Sequence, residues 1–480
     1  MYIKIYLNDL KYRYDVYQMF NIFYTFKELK FVNEDEERDY DVFISENMVK
    51  ISEGDNSFSY EFKEGYGFKT ELKKGIFKFL SKTLKDEYPW GTLVGIRPSK
   101  IALSLIREGK SEEEIIKYFE DNYMAREEKA KLCIEVAERE ESFVNKEEKN
   151  ISIYVGMPFC PTRCLYCSFA ANPIAGCKKD VKPYLEALSK EISAISDYVL
   201  KKGLKIETVY FGGGTPTSVN NEQFEVLMKH IYDSFVNNKG IKEFTVECGR
   251  PDSITEEKLK TMKRYEVSRI SINPQSMNDK TLKSIGRGHL TEDVVDKFNL
   301  ARSLDFDNIN MDIIIGLPNE DISEVSKTCK MIKELNPDSL TIHGMSIKRA
   351  SRLHENLVLH NTITIAEQKN LNKMYEMSKV LGRELNMHPY YMYRQKNMVG
   401  NMENVGYSKD NKECIYNIQM IEDKQTIIAL GADAVSKVVF LEEDKNRIER
   451  FANVKDVKEY VKRIEEMVEG KIELLDTLYK

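Results

Sequence analysis

The sequence predicts an α/β protein: a partial, TIM-like (β/α)6 barrel with an α+β domain before it and a cap after it. Three observations predict this. Between residues 148 and 346, six strand-like segments alternate with amphipathic helical stretches. Residues 1–147 follow a different pattern of short alternating segments and separate helices. Beyond residue 346 the strand–helix alternation fades.

In the first region, residues 1–7 alternate apolar and polar side chains as a strand does, and 43–49 with 58–62 predict a hairpin. Residues 73–84 and 111–119 have helical spacing. The charged stretch 127–149, with its sparse apolar stripe, predicts a helix leading to a boundary near Asn150. The barrel strands are expected at 151–159, 208–213, 244–249, 269–276, 308–316 and 339–346, with helices at 182–198, 221–235 and 321–335 among the connections. Strands separated by helices form a parallel sheet, and six such units leave open a barrel that eight would close. Chemistry in this architecture sits at the C-terminal strand ends. The last region, 347–480, predicts a helix at 364–386, an apolar strand at 426–431 and a terminal amphipathic helix at 454–475, and is read as the cap.

The composition narrows the function. The chain has 480 residues, is 42% hydrophobic and 31% charged, and contains no biased tract, as a globular protein does. Residues 1–15 mix charges with apolar positions, unlike a secretory signal. No stretch approaches the ~20 apolar residues of a membrane helix, so a cytoplasmic location is expected. A net charge of −6 argues against a nucleic-acid protein.

There are eight cysteines, and three of them, Cys160, Cys164 and Cys167, stand close together. They form Cys-x3-Cys-x2-Cys directly after the first barrel strand, in the run Tyr-Val-Gly-Met-Pro-Phe-Cys-Pro-Thr-Arg-Cys-Leu-Tyr-Cys from Tyr154. A disulfide scaffold would be small, secreted and cysteine-dense. A loop of this length can instead wrap one face of a [4Fe–4S] cluster, and three ligands for four irons leave one iron open. An open iron can chelate the amino and carboxylate groups of S-adenosylmethionine. An electron passed into the sulfonium then gives a 5′-deoxyadenosyl radical, which abstracts hydrogen from an unactivated carbon. The alternative, structural zinc, needs four tetrahedral ligands, and only Cys177 stands near enough to be a fourth.

The motif resembles that of radical S-adenosylmethionine enzymes. Its surroundings, from about Ile151 to Phe440, resemble the oxygen-independent coproporphyrinogen III oxidases (coproporphyrinogen dehydrogenases) and their relatives. The similar segments are 154–159, Phe-Gly-Gly-Gly-Thr-Pro-Thr at 211–217, Val-Glu-Cys at 246–248, Gln275, Gly286-Arg287-Gly288-His289, Asn-Met-Asp-Ile-Ile-Ile-Gly-Leu-Pro at 310–318 and Leu-Gly-Ala-Asp-Ala-Val-Ser at 430–436. The resemblance implies a radical S-adenosylmethionine barrel with a [4Fe–4S] cluster on Cys160, Cys164 and Cys167. It implies an S-adenosylmethionine contacted by Tyr154, Gly214, Glu247 and Val435. A second such molecule would meet Thr215, Gln275, Arg287, Asp312 and Ser346. It also implies an electron donor such as flavodoxin or ferredoxin, and oxidative decarboxylation of coproporphyrinogen III to protoporphyrinogen IX in haem biosynthesis.

Each of these residues also has a reading of its own. Gly212-Gly213-Gly214 lets a backbone approach a ligand closely, and no Gly-Lys-Ser/Thr follows as in a phosphate loop. Glu247 ends a strand, where a carboxylate suits ribose hydroxyls. Asp312 lies inside an apolar strand, sharing a face with Asn310 and Ile314, and needs a partner there, either a ligand or an arginine such as Arg287. His289 and His343 lie near strand ends; a lone His is more often hydrogen-bonded structure than catalyst, and neither is assigned a role. Lys348, Arg349 and Arg352, followed by Tyr390, Tyr391, Tyr393, Arg394 and Lys396, offer aromatic surface and charged forks to a macrocycle bearing carboxylates.

Two departures separate the relatives. Cys167 is followed by Ser168-Phe169-Ala170, where the best-studied oxidases continue to a fourth Cys; this is closer to haem-chaperone and haem-modifying methyltransferase relatives. Tyr416 stands where the chaperone-like relatives carry a His, the natural axial ligand of haem. Residues 1–147 match neither type. They look like an extra domain of one subgroup, and Trp-Gly-Thr-Leu-Val-Gly-Ile-Arg-Pro-Ser-Lys at 90–100 is their most distinctive run.

Overall fold

The computed structural model describes residues 2–25, 27–95, 97–167, 172–347, 353, 364–395, 398–441 and 447–480. Lys348, Arg349, Arg352, Lys396 and the run 168–170 lie outside the described residues.

The N-terminal region holds a five-stranded sheet of β1 (Tyr2–Leu7), β2 (Glu28–Val32), β3 (Tyr40–Ile44), β4 (Met48–Glu53) and β5 (Asn56–Glu61), in the order β2-β1-β3-β4-β5. Ile3, Ile5 and Leu7 of β1 are buried while Tyr2 is exposed, so one face packs on the helices Arg13–Phe23 and Phe68–Leu84. The expected hairpin is corrected by one turn. Residues 43–49 span the turn between β3 and β4, and it is β4 that pairs with β5. Helices Ser99–Arg107, Glu112–Tyr123 and Glu127–Glu141 follow. The last of these ends well before residue 149.

The second sheet has eleven strands. Its centre is the six expected parallel strands: β6 (Asn150–Met157), β9 (Lys205–Gly213), β10 (Glu243–Val246), β11 (Arg269–Ser271), β12 (Ile309–Ile315) and β13 (Ser339–Gly344). A two-strand ribbon, β7 (Phe159–Cys160) with β8 (Asn172–Pro173), carries the cysteine loop. β11 is shorter than expected because the chain leaves the ladder and returns only at Gln275, whose left-handed φ of 67° makes a single bridge to Ile313.

The C-terminal region supplies strands to both edges of this sheet. β15 (Asn404–Ser408) adds antiparallel to β13, and β14 (His388–Tyr393) adds antiparallel to β15. β16 (Thr426–Leu430) adds parallel to β6 as a seventh parallel strand, followed by antiparallel β17 (Val435–Val439) and β18 (Ile448–Ala452). β14 and β18 are the two ends of the strand order, so the barrel stays open. The terminal helix is two helices, Val457–Lys462 and Ile464–Asp476, broken at Arg463.

Residues 90–100 fix the N-terminal region to the large sheet. Trp90 is fully buried, and its Nε1 donates to Glu403 Oε2 at 2.6 Å. Lys129 Nζ reaches the other oxygen of Glu403 at 2.5 Å. The Arg394 guanidinium lies 4.8 Å from the Trp90 ring centroid and donates to the carbonyl oxygens of Leu93 and Asn401. Arg97 binds Asp423 at 2.5 Å. The sequence reading of Arg394 as part of a substrate rim is therefore corrected: the side chain is buried in this joint.

Candidate active site at the mouth of the barrel

The cysteine loop is held by its neighbours on both sides. Leu165 N donates to Ile285 O (3.0 Å) and Thr162 Oγ1 to Gly286 O (2.9 Å), docking the loop on the Gly286–His289 turn. Arg250, which the sequence reading missed, forks onto Asp252 at 2.8 and 3.0 Å and also reaches Thr162 Oγ1 and, at 3.7 Å, Cys164 Sγ. It follows β10 by a few residues; a lone arginine there gives no signal that distinguishes it from a solvated one. Cys160 is buried, Cys164 and Cys167 are half-buried, and none forms a disulfide. Burial pushes the Cys160 thiol up to about 11, against the hydrogen bond from Thr215.

Among the described residues no group of three His, Cys, Asp or Glu side chains converges on one point to hold a single ion. The adjoining backbone is shaped for a close approach. A Cβ on Gly214 would lie 2.9 Å from Cys160 Sγ and 2.7 Å from Phe159 O, so only glycine fits here. The Gly214 amide donates to Met157 O at 2.6 Å and Thr215 N to Phe159 O at 2.8 Å.

Tyr154, Gly213, Gly214 and Val435 line one cleft of about 440 Å³, together with Asp433 and Lys437. It lies between the end of β6 and the turn joining β16 to β17. Gly431 in that turn has φ +102°, and a Cβ there would meet Tyr184 Oη at 2.6 Å and Gly156 O at 2.7 Å. The turn is tied down by Glu191, which accepts from Gly431 N (2.8 Å), Tyr460 Oη (2.6 Å) and the buried Lys471.

The remaining predicted residues face the lumen or its rim. Glu247 accepts from Tyr210 Oη, from Ser271 Oγ (3.0 Å) and from Asn273 Nδ2 (3.3 Å). Burial, and then the charge of Asp312, raise its carboxyl above the ordinary value. Asp312 is not paired with Arg287. Its partners are Asn310 Nδ2 at 2.7 Å and His343 Nε2 at 3.6 Å. Burial works against the Asp312 carboxylate, but His343 and Asn310 hold it below its usual range. Burial would lower the His343 imidazole, and Asp312, aided by Glu247, raises it instead. The sequence reading assigned His343 no role and missed this contact, since the strand register that brings it to Asp312 is a tertiary fact.

Arg287 donates to Asn273 O (2.9 Å), Gly249 O (3.3 Å) and Tyr166 Oη (3.4 Å). Its Nε, the Gln275 Oε1 and both ring nitrogens of His289 are buried without a hydrogen-bond partner, as polar groups at a ligand site often are. Burial, and then Arg287, push the His289 imidazole down to about 4. Ser346 bridges to Met398 just past β13. Below the mouth, Tyr416 stacks on Tyr210 at 4.3 Å, and both stack on Tyr154 at 6.2 Å. No helix among the described residues is long and apolar enough to cross a membrane.

Residues 154–332 match the model of the Radical SAM superfamily. The chain is 41% identical over 394 residues to the "Oxygen-independent coproporphyrinogen-III oxidase-like protein HemZ" of Bacillus subtilis, across 82% of this chain and 78% of that protein. It is 32% identical over 232 residues to the "Heme chaperone HemW" of the same organism, across 48% of this chain and 59% of that one. Among solved structures, the coproporphyrinogen III oxidase HemN of Escherichia coli shares the fold, with a TM-score of 0.53 at 20% identity over 68% of this chain and 72% of that one. That family implies a [4Fe–4S] cluster and S-adenosylmethionine, for which the loop, the glycine cradle and the cleft are suited. On this similarity the chain belongs to the radical SAM superfamily, in the group of the oxygen-independent coproporphyrinogen III oxidases and their homologues.

Proposed function

We propose that this protein oxidatively decarboxylates two propionate side chains of coproporphyrinogen III, giving protoporphyrinogen IX. The observation that carries this reading over a haem-trafficking one is Tyr416. It replaces the histidine of the chaperone-like relatives, and its ring is buried in the stack with Tyr210 and Tyr154, where it offers haem iron no axial imidazole. The longer match to the oxidase-like relative supports the same reading.

The cluster on Cys160, Cys164 and Cys167, with S-adenosylmethionine, supplies one-electron chemistry and the abstraction of an unactivated hydrogen. The protein's own task is to hold and to exclude. Gly213 and Gly214 admit the methionine end of the cofactor, Glu247 receives the ribose hydroxyls, and Tyr154 and Val435 pack beside it. No general base is required, because CO2 departs without a proton transfer, and positioning governs the rate. Asp312 Oδ1 accepts from Asn310 and Oδ2 stands 3.6 Å from His343, so a second S-adenosylmethionine at Asp312 would share the carboxylate with these two side chains.

Anaerobic incubation of the reconstituted protein with coproporphyrinogen III, S-adenosylmethionine and a reductant, read by mass spectrometry, tests the proposal. Protoporphyrinogen IX, its singly decarboxylated precursor and 5′-deoxyadenosine are the expected products. Deoxyadenosine with untouched porphyrinogen refutes the substrate. A haem titration that shifts the Soret band would then favour trafficking, and a methylated linear tetrapyrrole would favour haem modification.

A further inference from the structure

The proposed substrate is acidic, and so is the lumen that would receive it. Glu247, just past β10, is pushed up by burial and then by the charge of Asp312 on β12. Two carboxylates in a partly desolvated cavity repel a third. A cation placed beside them reverses that penalty.

The geometry points to His343. Ser339, Thr341 and His343 alternate along one face of β13, opposite Asn310, Asp312 and Ile314 of β12. Ser339 Oγ and Thr341 Oγ1 approach Asn310 Oδ1 at 3.0 and 3.3 Å, which fixes the amide so that its Nδ2 donates to Asp312. The other oxygen of Asp312 faces His343 Nε2. The two side chains are not sealed in the core: His343 keeps 27% of its surface and Asp312 15%. The two neighbouring arginines each spend part of their donors elsewhere and keep part unpartnered. Arg287 is turned onto backbone carbonyls, and Arg269, at the opposite end of its strand, donates to Ser339 Oγ.

We infer that His343 is a substrate-positioning residue, the counter-charge that allows a carboxylate of an anionic tetrapyrrole to settle beside Asp312 and Glu247. The inference rests on the reading of a carboxylated tetrapyrrole as substrate. It adds a residue that the site as read from the sequence did not contain.

The test is a fluorescence titration of the cluster-loaded protein with coproporphyrin III and with its tetramethyl ester, which has the same ring and no charge. The native protein is expected to prefer the acid. His343→Gln should lose about tenfold of that preference and His343→Lys should keep it, because a fixed counter-charge acts on the charged ligand alone. Adding Asp312→Asn to His343→Gln should restore most of the loss, which a purely structural histidine would not permit. Asp312→Asn alone should tighten acid binding, and it decides the matter if the His343→Gln chain fails to fold. An unchanged acid preference in His343→Gln, or no gain in Asp312→Asn, overturns the role of His343 while leaving the substrate standing. A native protein that binds neither form overturns this inference, and the turnover of coproporphyrinogen III decides the substrate separately.

Discussion

Two regions of this molecule bury polar side chains in opposite ways. At the joint between the N-terminal region and the large sheet, Glu403 receives Trp90 on one oxygen and Lys129 on the other, and Arg394 binds Leu93 and Asn401. At the barrel mouth the Gln275 amide oxygen, the Arg287 Nε and the His289 ring are equally buried and have no hydrogen-bond partner. Burial alone therefore does not separate structure from function here. Around Glu403 the chain completes its own pairing, although Asn401 Nδ2 and Glu422 Oε1 at the same joint stay unpartnered, whereas at the mouth the unpartnered groups stand beside the cysteine loop, where a ligand can complete them.

The contrast can be broken from either side. The largest effect is expected at the mouth. Replacing Cys160, Cys164 or Cys167 by Ala should drop bound iron from about four per chain to below one and abolish S-adenosylmethionine cleavage, with the melting temperature of the apoprotein barely moved. Iron assay and deoxyadenosine release check this, and full cluster loading in any of the three variants would refute the ligand set.

At the joint the expectation reverses. Glu403→Leu leaves Lys129 buried and unpaired, which costs about 3–5 kcal/mol, read as a fall in the denaturation midpoint, while reconstituted iron content stays at the native level. A variant as stable as the native protein would show that the joint is dispensable.

A third effect concerns pH. In the same region burial, and then the charge of Glu422, push the Glu140 carboxyl up to about 8. Its folded-state value exceeds its unfolded one, so the native state binds more protons between about 4.5 and 8. Stability should therefore fall as pH rises through this window, by up to about 1.4 kcal/mol per pH unit for one proton. Glu140→Gln should flatten that slope; melting curves at pH 5.5 and 8 that differ equally in both proteins would refute it.

The six parallel strands could be read from the sequence because each is a local apolar run followed by an amphipathic helix. The cysteine loop was legible for the same reason, all three thiols falling within one turn of chain. What escaped depended on register. Nothing near residues 426–430 announces that they will lie beside β6, since the partner strand is most of the chain away. His343 acquires meaning only when β13 pairs with β12. The 90–100 run looked distinctive yet purposeless until Trp90, Leu93 and Arg97 met Glu403, Arg394 and Asp423. The hairpin was placed one turn early because the alternation of β3 runs on through the turn into β4.

The late arrival of β16 bears on the protein's birth as well as its architecture. β6 carries the backbone that leads into the cysteine loop, but one of its two flanks is covered only by residues 426–430. During synthesis β9 can zip onto β6 early, while the opposite flank remains a bare row of amide and carbonyl groups until residues 426–430 have left the ribosome. A nascent chain stalled before those residues emerge would display that edge beside unmetallated thiols, the species most prone to aggregate and to oxidise together. Slowing translation once residues 426–430 are clear of the ribosome should then improve recovery of loaded protein, whereas a pause before they emerge should reduce it.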